Sequence, residues 1–174
     1  MENNNMLHDA TDSTLIQLVT FKIAQEEFGV DILRVQEIIR MMAITKVPNA
    51  PGFVEGVINL RGKVIPVIDI RRRFGMTNAE HDAQTRIMVM DLQGIVVGFV
   101  VDAVCEVLRI QQSTIEPPPA VVAGIGSEYI RGVGKLADRL LILLELDRLL
   151  EDEEFSTLSK VGDTLPPAEN AGKR

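Results

Sequence analysis

The chain repeats itself, and that constrains its fold more than any single motif. Written beneath itself at an offset of 69, the sequence sets Gly29 against Gly98, Val35 against Val104, Glu37 against Glu106, Arg40 against Arg109, Thr45 against Thr114 and Pro48 against Pro117. The run Leu18 to Ile23 falls on Ile87 to Leu92 in the same register. A seven-residue insertion near Val121 to Ser127 then moves the offset to 76, and Phe53 meets Tyr129, Gly56 meets Gly132, Val57 meets Val133 and Leu60 meets Leu136. Apolar runs align with one another by chance. Matched glycines, prolines and charges do so less readily, because backbone geometry rather than hydrophobicity constrains them. Two copies of one small barrel follow, with repeat halves at about residues 15–74 and 84–150. Each copy is too small to bury much apolar surface alone, so the two should share a core.

Within each copy the apolar runs are short, β-branched and punctuated by glycine or proline, the pattern of a barrel or sandwich. Strands are expected at Leu15 to Ala24, Glu27 to Ile32, Val35 to Arg40, Val64 to Asp69, Arg86 to Leu92, Ile95 to Val101, Val104 to Ile110 and Leu140 to Leu146. A short helical turn is expected near Asp69 to Phe74. A longer helix should run from about Asp147, as N-cap, into Leu158. Residues 1–13 and 160–174 read as flexible tails around a domain at 14–154.

Composition excludes several functions. The 174 residues carry a net charge of -7 at a pI near 4.9, which disfavours an electrostatic nucleic-acid footprint. Aromatics make up 4 % with no tryptophan, so a base-stacking platform is not expected. The basic run Arg71-Arg72-Arg73 reads as the solvated face of a short helix. Cys105 is the only cysteine, which excludes an internal disulfide or a cysteine-clustered metal site. The first residues are polar and the densest apolar runs are too short to span a bilayer, so a cytoplasmic location is expected.

No catalytic constellation emerges. His8 and His81 lie in polar surroundings without an activating neighbour. Gly132 to Ala137 matches a dinucleotide-binding pattern by letter, but a strand follows almost at once where a full helix is required, so the segment reads as a turn. Asp31, Asp69, Asp102 and Glu145 stand singly between apolar neighbours, as strand ends do. A small-barrel binder of an oligosaccharide or single strand is opposed by the charge and the few aromatics. A carboxylate hydrolase is opposed by the carboxylate spacing. No enzyme activity and no cofactor are expected.

What remains is surface for binding proteins. In Val47 to Gly75, VPNAPGFVEGVINLRGKVIPVIDIRRRFG, two prolines open an extended connection and Arg61 sits at a turn before a buried strand. There it suits either a carboxylate partner or a solvated turn. Val35 to Ile39 alternates apolar and polar residues, and Val104 to Leu108 repeats the pattern. Arg61 aligns with Ala137, while both copies keep the glutamate, Glu37 and Glu106. Only the first copy is therefore expected to form a Glu–Arg pair.

The segments FGVDILRVQEI, VPNAPGFVEGVINLRGKVIPVIDIR, VVGFVVDAVCEVL and EYIRGVGKLADRLLILLELDRLL resemble the CheW family of bacterial chemotaxis coupling proteins, over about Leu15 to Glu151. The resemblance implies an all-β fold of two SH3-like five-stranded β-barrels related by a pseudo-twofold, with short helices including one near the C-terminus. It also implies a non-enzymatic adaptor that joins the histidine kinase CheA, through its CheW-like regulatory domain, to the cytoplasmic tips of methyl-accepting chemoreceptors. Such an adaptor meets the membrane only through receptors. Carried over, the receptor-facing region falls on Val35, Glu37, Ile38, Gly56, Arg61, Val104 and Val107, with Val35, Ile38, Val104 and Val107 forming a groove at the seam between the copies. Kinase-contact residues carry no distinctive motif and stay unassigned.

Overall fold

Short β-branched runs ending in glycine, asparagine or aspartate fold here as strands joined by tight turns. The computed structural model describes residues 14–77, 80–118, 127–151, 154 and 156–158. The two expected tails and most of the insertion lie outside the described residues. The strands are β1 (Leu15–Ile23), β2 (Glu26–Asp31), β3 (Val35–Arg40), β4 (Val54–Leu60), β5 (Lys63–Asp69), β6 (Arg86–Leu92), β7 (Ile95–Val101), β8 (Ala103–Gln111), β9 (Ile115–Glu116), β10 (Ile130–Lys135) and β11 (Leu140–Leu144). A single helical turn, α1 (Ile70–Arg73), follows β5, with the Asp69 carboxylate accepting from the Arg71 amide as its cap.

The strands form two sheets, in the orders β8-β1-β2-β11-β10-β9 and β3-β6-β7-β5-β4. Replacing each strand by its repeat partner turns the second order into the first five strands of the other. The correspondence reaches single residues. The parallel neighbours Val67 and Gly98 match Leu143 and Gly29. The bulge between Val35 and Glu37 opposite Met90 and Val89 recurs between Val104 and Glu106 opposite Phe21 and Thr20. A third irregularity, between Val54 and Gly56, recurs between Ile130 and Gly132.

The expectation of one closed barrel per half needs correction. Neither sheet closes on itself, and neither belongs to one half: the hairpin β1-β2 lies in the sheet built mainly by the second half, and β6-β7 lies in the first half's sheet. The exchange follows from burial. β6 is covered on both faces: Ile87 and Val89 enter a small cluster with Ile58, Ile65, Val67 and Val100, while Met88, Met90 and Leu92 enter a large one. β1 behaves alike, with Leu18 in a small cluster with Ile110, Leu141 and Leu143, and Val19, Phe21 and Ile23 in the large one. Among the described residues the large cluster holds 20 buried residues and the small ones 6 and 4, so most burial lies between the copies, as the sharing of a core requires.

Three further expectations change. Gly132 and Gly134 lie inside β10 rather than in a turn, and the chain turns at Leu136 to Arg139. Asp147 caps no helix. It lies inside a 3-10 turn, Leu146–Arg148, and its carboxylate takes the Arg34 guanidinium at 2.6 Å; beyond that turn, helix is described only at 154 and 156–158. In the run Arg71 to Arg73 only Arg72 is solvated, because Arg71 grips Asp102 and Arg73 grips Glu154 at 2.5 Å while donating to the Leu149 carbonyl. Arg73 also lies over the rings of Phe53 and Tyr129, which are repeat partners, and so pins the C-terminal segment to the shared core.

Arg34–Asp147 and Arg71–Asp102 stand at equivalent ends of the two sheets with their charges reversed: Arg71 aligns with Asp147, and Arg34 lies one position after Leu33, which aligns with Asp102. Each closes the end of one parallel seam, β2 beside β11 or β7 beside β5. Hydrogen bonding from Arg34 holds the Asp147 carboxyl below the usual carboxylate range. Burial pushes Asp102 up, but the Arg71 guanidinium and the Ala24 amide outweigh it and leave Asp102 low as well. Such groups contribute stability above their unfolded pKa of about 3.9 and lose it as pH falls through the lower folded value. The urea midpoint should therefore drop as pH falls below about 4, and Asp147→Asn should flatten that drop; an unchanged slope would show the seam clamps to be energetically silent.

Gly56 is fixed by packing. A Cβ there would lie 2.4 Å from the Thr45 carbonyl oxygen, whose residue bridges Val57, and 2.7 Å from Ile44 Cγ2. At Gly52 a Cβ would meet nothing within 4 Å. Gly56→Ala should destabilise by about 1–3 kcal/mol in equilibrium denaturation, as overpacking does, while Gly52→Ala leaves the midpoint nearly unchanged.

Candidate interaction surface

The turn that carries Arg61 is built by its neighbours. Leu60 pairs with Lys63, leaving Arg61 and Gly62 as a two-residue turn with φ of 53° and 85°. The Asn59 side-chain oxygen accepts from the Gly62 amide at 2.9 Å. This is the type I′ arrangement, in which both central residues take positive φ. The hairpin β6-β7 builds the same turn from Asp91, Leu92, Gln93 and Gly94: Gln93 and Gly94 have φ of 52° and 88°, and Asp91 accepts from Gly94 at 2.8 Å. Asn or Asp at the first position and glycine at the fourth therefore specify the turn. Glutamine serves at the third position as well as arginine, so the turn itself does not require Arg61.

Its side chain has a partner. Arg61 Nη1 donates to Glu37 Oε1 at 3.0 Å, and Nη2 donates to Oε2, a two-pronged pair. The pair lies on the surface, and the Arg61 hydrogen bonds hold the Glu37 carboxyl below its ordinary value. Glu37 directly follows the bulge at Gln36, and a bulge re-aims the side chains beside it. Of the two readings of Arg61, the carboxylate partner is the one realised.

The other predicted residues divide. Ile38 and Val107 are repeat partners and both are exposed, at 39 % and 54 %, on the sheet-edge strands β3 and β8. Val35 and Val104 are half-buried and pack against the shared core. Gly56 is buried, and its place in the set reflects backbone approach rather than contact surface. β3 and β8 are edges of different sheets and share no ladder, so the four apolar residues do not form one continuous strand-pair surface. An apolar recess of about 170 Å³ opens elsewhere, among Phe28, Phe74, Met76, Ile130, Ile142 and Leu144.

The second copy departs from expectation. Ala137 stands where Arg61 would be, yet Glu106 is paired: Arg139 Nη2 donates to Glu106 Oε1 at 2.6 Å. The same guanidinium donates through Nε to Glu27, whose side chain is almost wholly buried, and through Nη1 to Asp138. Arg139 aligns with Lys63, two positions after Arg61, and the hairpin turns through Ala137 and Asp138 so that the arginine stands at its exit. Alignment column by column could not find this pair. The signal available was an arginine two residues later in a turn of different build.

Beside Glu106 sits Cys105, the bulge residue and repeat partner of Gln36, whose thiol is pushed up by burial and by Glu27 and so stays protonated. Among the described residues no group of three or more histidine, cysteine or acidic side chains is placed to hold a metal ion, and no helix is long and apolar enough to cross a membrane.

Comparison with known proteins agrees with this arrangement. Residues 17–154 match the family described as CheW-like domain. The chain is 38% identical over 145 residues to the chemotaxis protein CheW of Klebsiella aerogenes, covering 83% of this chain and 87% of that protein. It is 31% identical over 156 residues to the chemotaxis protein CheW of Treponema pallidum, with coverage of 87% and 92%. The crystal structure of the scaffolding protein TtCheW from Thermoanaerobacter tengcongensis superposes with a TM-score of 0.73 at 40% identity, over 79% of this chain and 89% of that one. With its duplicated sheets, its Asn-Leu-Arg-Gly turn and a match across nearly every described strand, the chain belongs to the CheW family.

Proposed function

We propose that this protein is a non-enzymatic adaptor that couples the cytoplasmic tips of methyl-accepting chemoreceptors to the histidine kinase CheA. The observation that carries the reading is the family match over residues 17–154 together with a surface Glu37–Arg61 pair that the turn does not need for its own geometry. In this reading the receptor face comprises Glu37, Arg61, Ile38 and Val107, with Val35, Val104 and Gly56 supporting it from below. The kinase is engaged through its CheW-like regulatory domain. The protein works in the cytoplasm and reaches the inner membrane only through receptors. The two sheets are SH3-like units related by a pseudo-twofold, which offers a second partner an equivalent but non-identical surface.

Exposed apolar residues beside a charged pair suit helix docking, where a row of apolar contacts supplies affinity and the charged rim supplies register. Val107 is the better probe, because Val104 also packs the core and its replacement would confuse folding with binding.

Adding the purified protein to kinase and receptor-bearing membranes should raise kinase autophosphorylation, and omitting either partner should abolish the gain. No gain in the complete mixture would sink the adaptor reading. Arg61→Gln, which places in this turn the residue Gln93 already occupies in its twin, should melt within a few degrees of the wild type and yet lose receptor binding. Val107→Asp should do likewise. A large fall in melting temperature for Arg61→Gln would instead make the arginine a structural residue.

A further inference from the structure

The repeat has kept the glutamate of the surface pair in both halves but recruited its arginine from different positions. Arg61 comes from the turn itself and meets one carboxylate, Glu37. Arg139 comes from the turn exit and meets Glu106, Glu27 and Asp138. At the position of Glu27 the sheet built mainly by the first half carries Val96, a half-buried residue packed against that sheet's small core. The element on the first half is thus a balanced one-to-one pair beside Ile38. On the second half it is an arginine outnumbered by carboxylates beside Val107, with Lys22 opposite Glu27 across the β1-β2 ladder. Counting Arg139 and Lys22 against Glu27, Glu106 and Asp138 leaves the second element acidic.

We propose that Arg139 is a positioning residue of the receptor-binding face: by holding Glu106 on the exposed edge strand β8 it builds a second, net-acidic docking element that pairs with a basic residue of the receptor tip. This rests on the adaptor reading and adds to it a residue, a charge sign and a division of labour between the halves. The independent recruitment of an arginine onto the same glutamate, in a turn of different build, is what separates it from an incidental surface contact. The buried Glu27 gives Arg139 a structural duty as well. The two duties are separable, because Glu27 lies beneath the surface and Glu106 lies on it.

The test measures binding of the full-length protein to receptor-bearing membranes and to purified kinase, beside thermal melting, for Arg139→Ala, Arg139→Lys, Glu106→Gln and the double variant Glu27→Gln/Arg139→Ala. Arg139→Ala and Glu106→Gln should each weaken receptor binding about tenfold, a difference of roughly 1.4 kcal/mol, with kinase binding altered less than twofold. Arg139→Lys, which keeps the charge but loses the planar fork, should restore part of the loss. The double variant removes the unpaired buried carboxylate and should regain melting temperature without regaining receptor binding. Raising salt should weaken receptor binding less in Glu106→Gln than in the wild type. If the double variant regains binding together with stability, or if folded Glu106→Gln binds receptors normally, the assignment is overturned. A wild-type protein that fails to sediment with receptor membranes overturns the adaptor reading, and this assignment with it.

Discussion

The two parallel pairings, β2 beside β11 and β7 beside β5, hold the rest of the structure in place. All the other named pairings are antiparallel ladders. Together with the antiparallel ladders β8-β1 and β3-β6, they carry a hairpin of each copy into the sheet of the other. Gly29 and Gly98 stand in them, and at Gly29 a Cβ would come 3.3 Å from Leu141 Cδ2 across the seam, so the seam is tight as well as long-range. Once the hairpins are exchanged, β1 and β6 acquire two buried faces. In β6 this shows as an unbroken apolar run, Ile87 to Met90, as in strands covered on both sides. A fully buried Leu, Ile, Val, Phe or Met side chain contributes on the order of 1.5–3 kcal/mol, and most such side chains here lie in the cluster the copies share. Among the described residues each half therefore depends on the other for most of its burial.

Charges serve two purposes, told apart by where they lie. Arg34, Arg71 and Arg73 are substantially covered, and each also donates to a main-chain carbonyl, of Asp91, Thr77 and Leu149 respectively. They tie chain segments distant in sequence and close the seams from outside. Glu37–Arg61 and Glu106–Arg139 lie on the surface, where water and salt screen an ion pair and its contribution to folding is small. Arg61 holds Glu37 in a fork at little gain for the fold, which the proposed function assigns to recognition, whereas Arg139 also secures the almost buried Glu27. Turn chemistry supports this on the first half, since the uncharged Gln93 builds the same turn.

Duplication followed by divergence accounts for the shape of the candidate surface. The bulges before Glu37 and Glu106 are the same bulge, so both copies aim a glutamate and leave an apolar neighbour, Ile38 or Val107, exposed on an edge strand. The copies then differ in what surrounds the glutamate, a balanced pair on one side and an acidic cluster on the other. An adaptor that serves two partners at once benefits from two related but distinguishable faces. In the proposed adaptor, specificity would reside in the differences between the copies rather than in either copy alone.

The duplication, most strand positions, the helical turn after Asp69 and the Glu37–Arg61 pair were legible in the sequence, because each depends on local pattern or on backbone-demanding residues at matched positions. Glycine, proline and asparagine mark turns wherever they fall, and a strand's burial shows in its own residues. What the sequence left open was partner choice over long distance. Nothing in the spacing of β1 and β2 says which half's sheet they join, so one barrel per half was the simplest reading and the exchanged sheets could not be seen. Arg71 and Arg73 looked solvated because a basic run shows charge but not the Asp102 and Glu154 brought to it from the other half. Arg139 escaped notice because alignment compares equivalent positions, whereas a guanidinium on a long, flexible stem reaches the same carboxylate from a different one. Local physics fixed the elements; the packing of one copy against the other decided which charges meet.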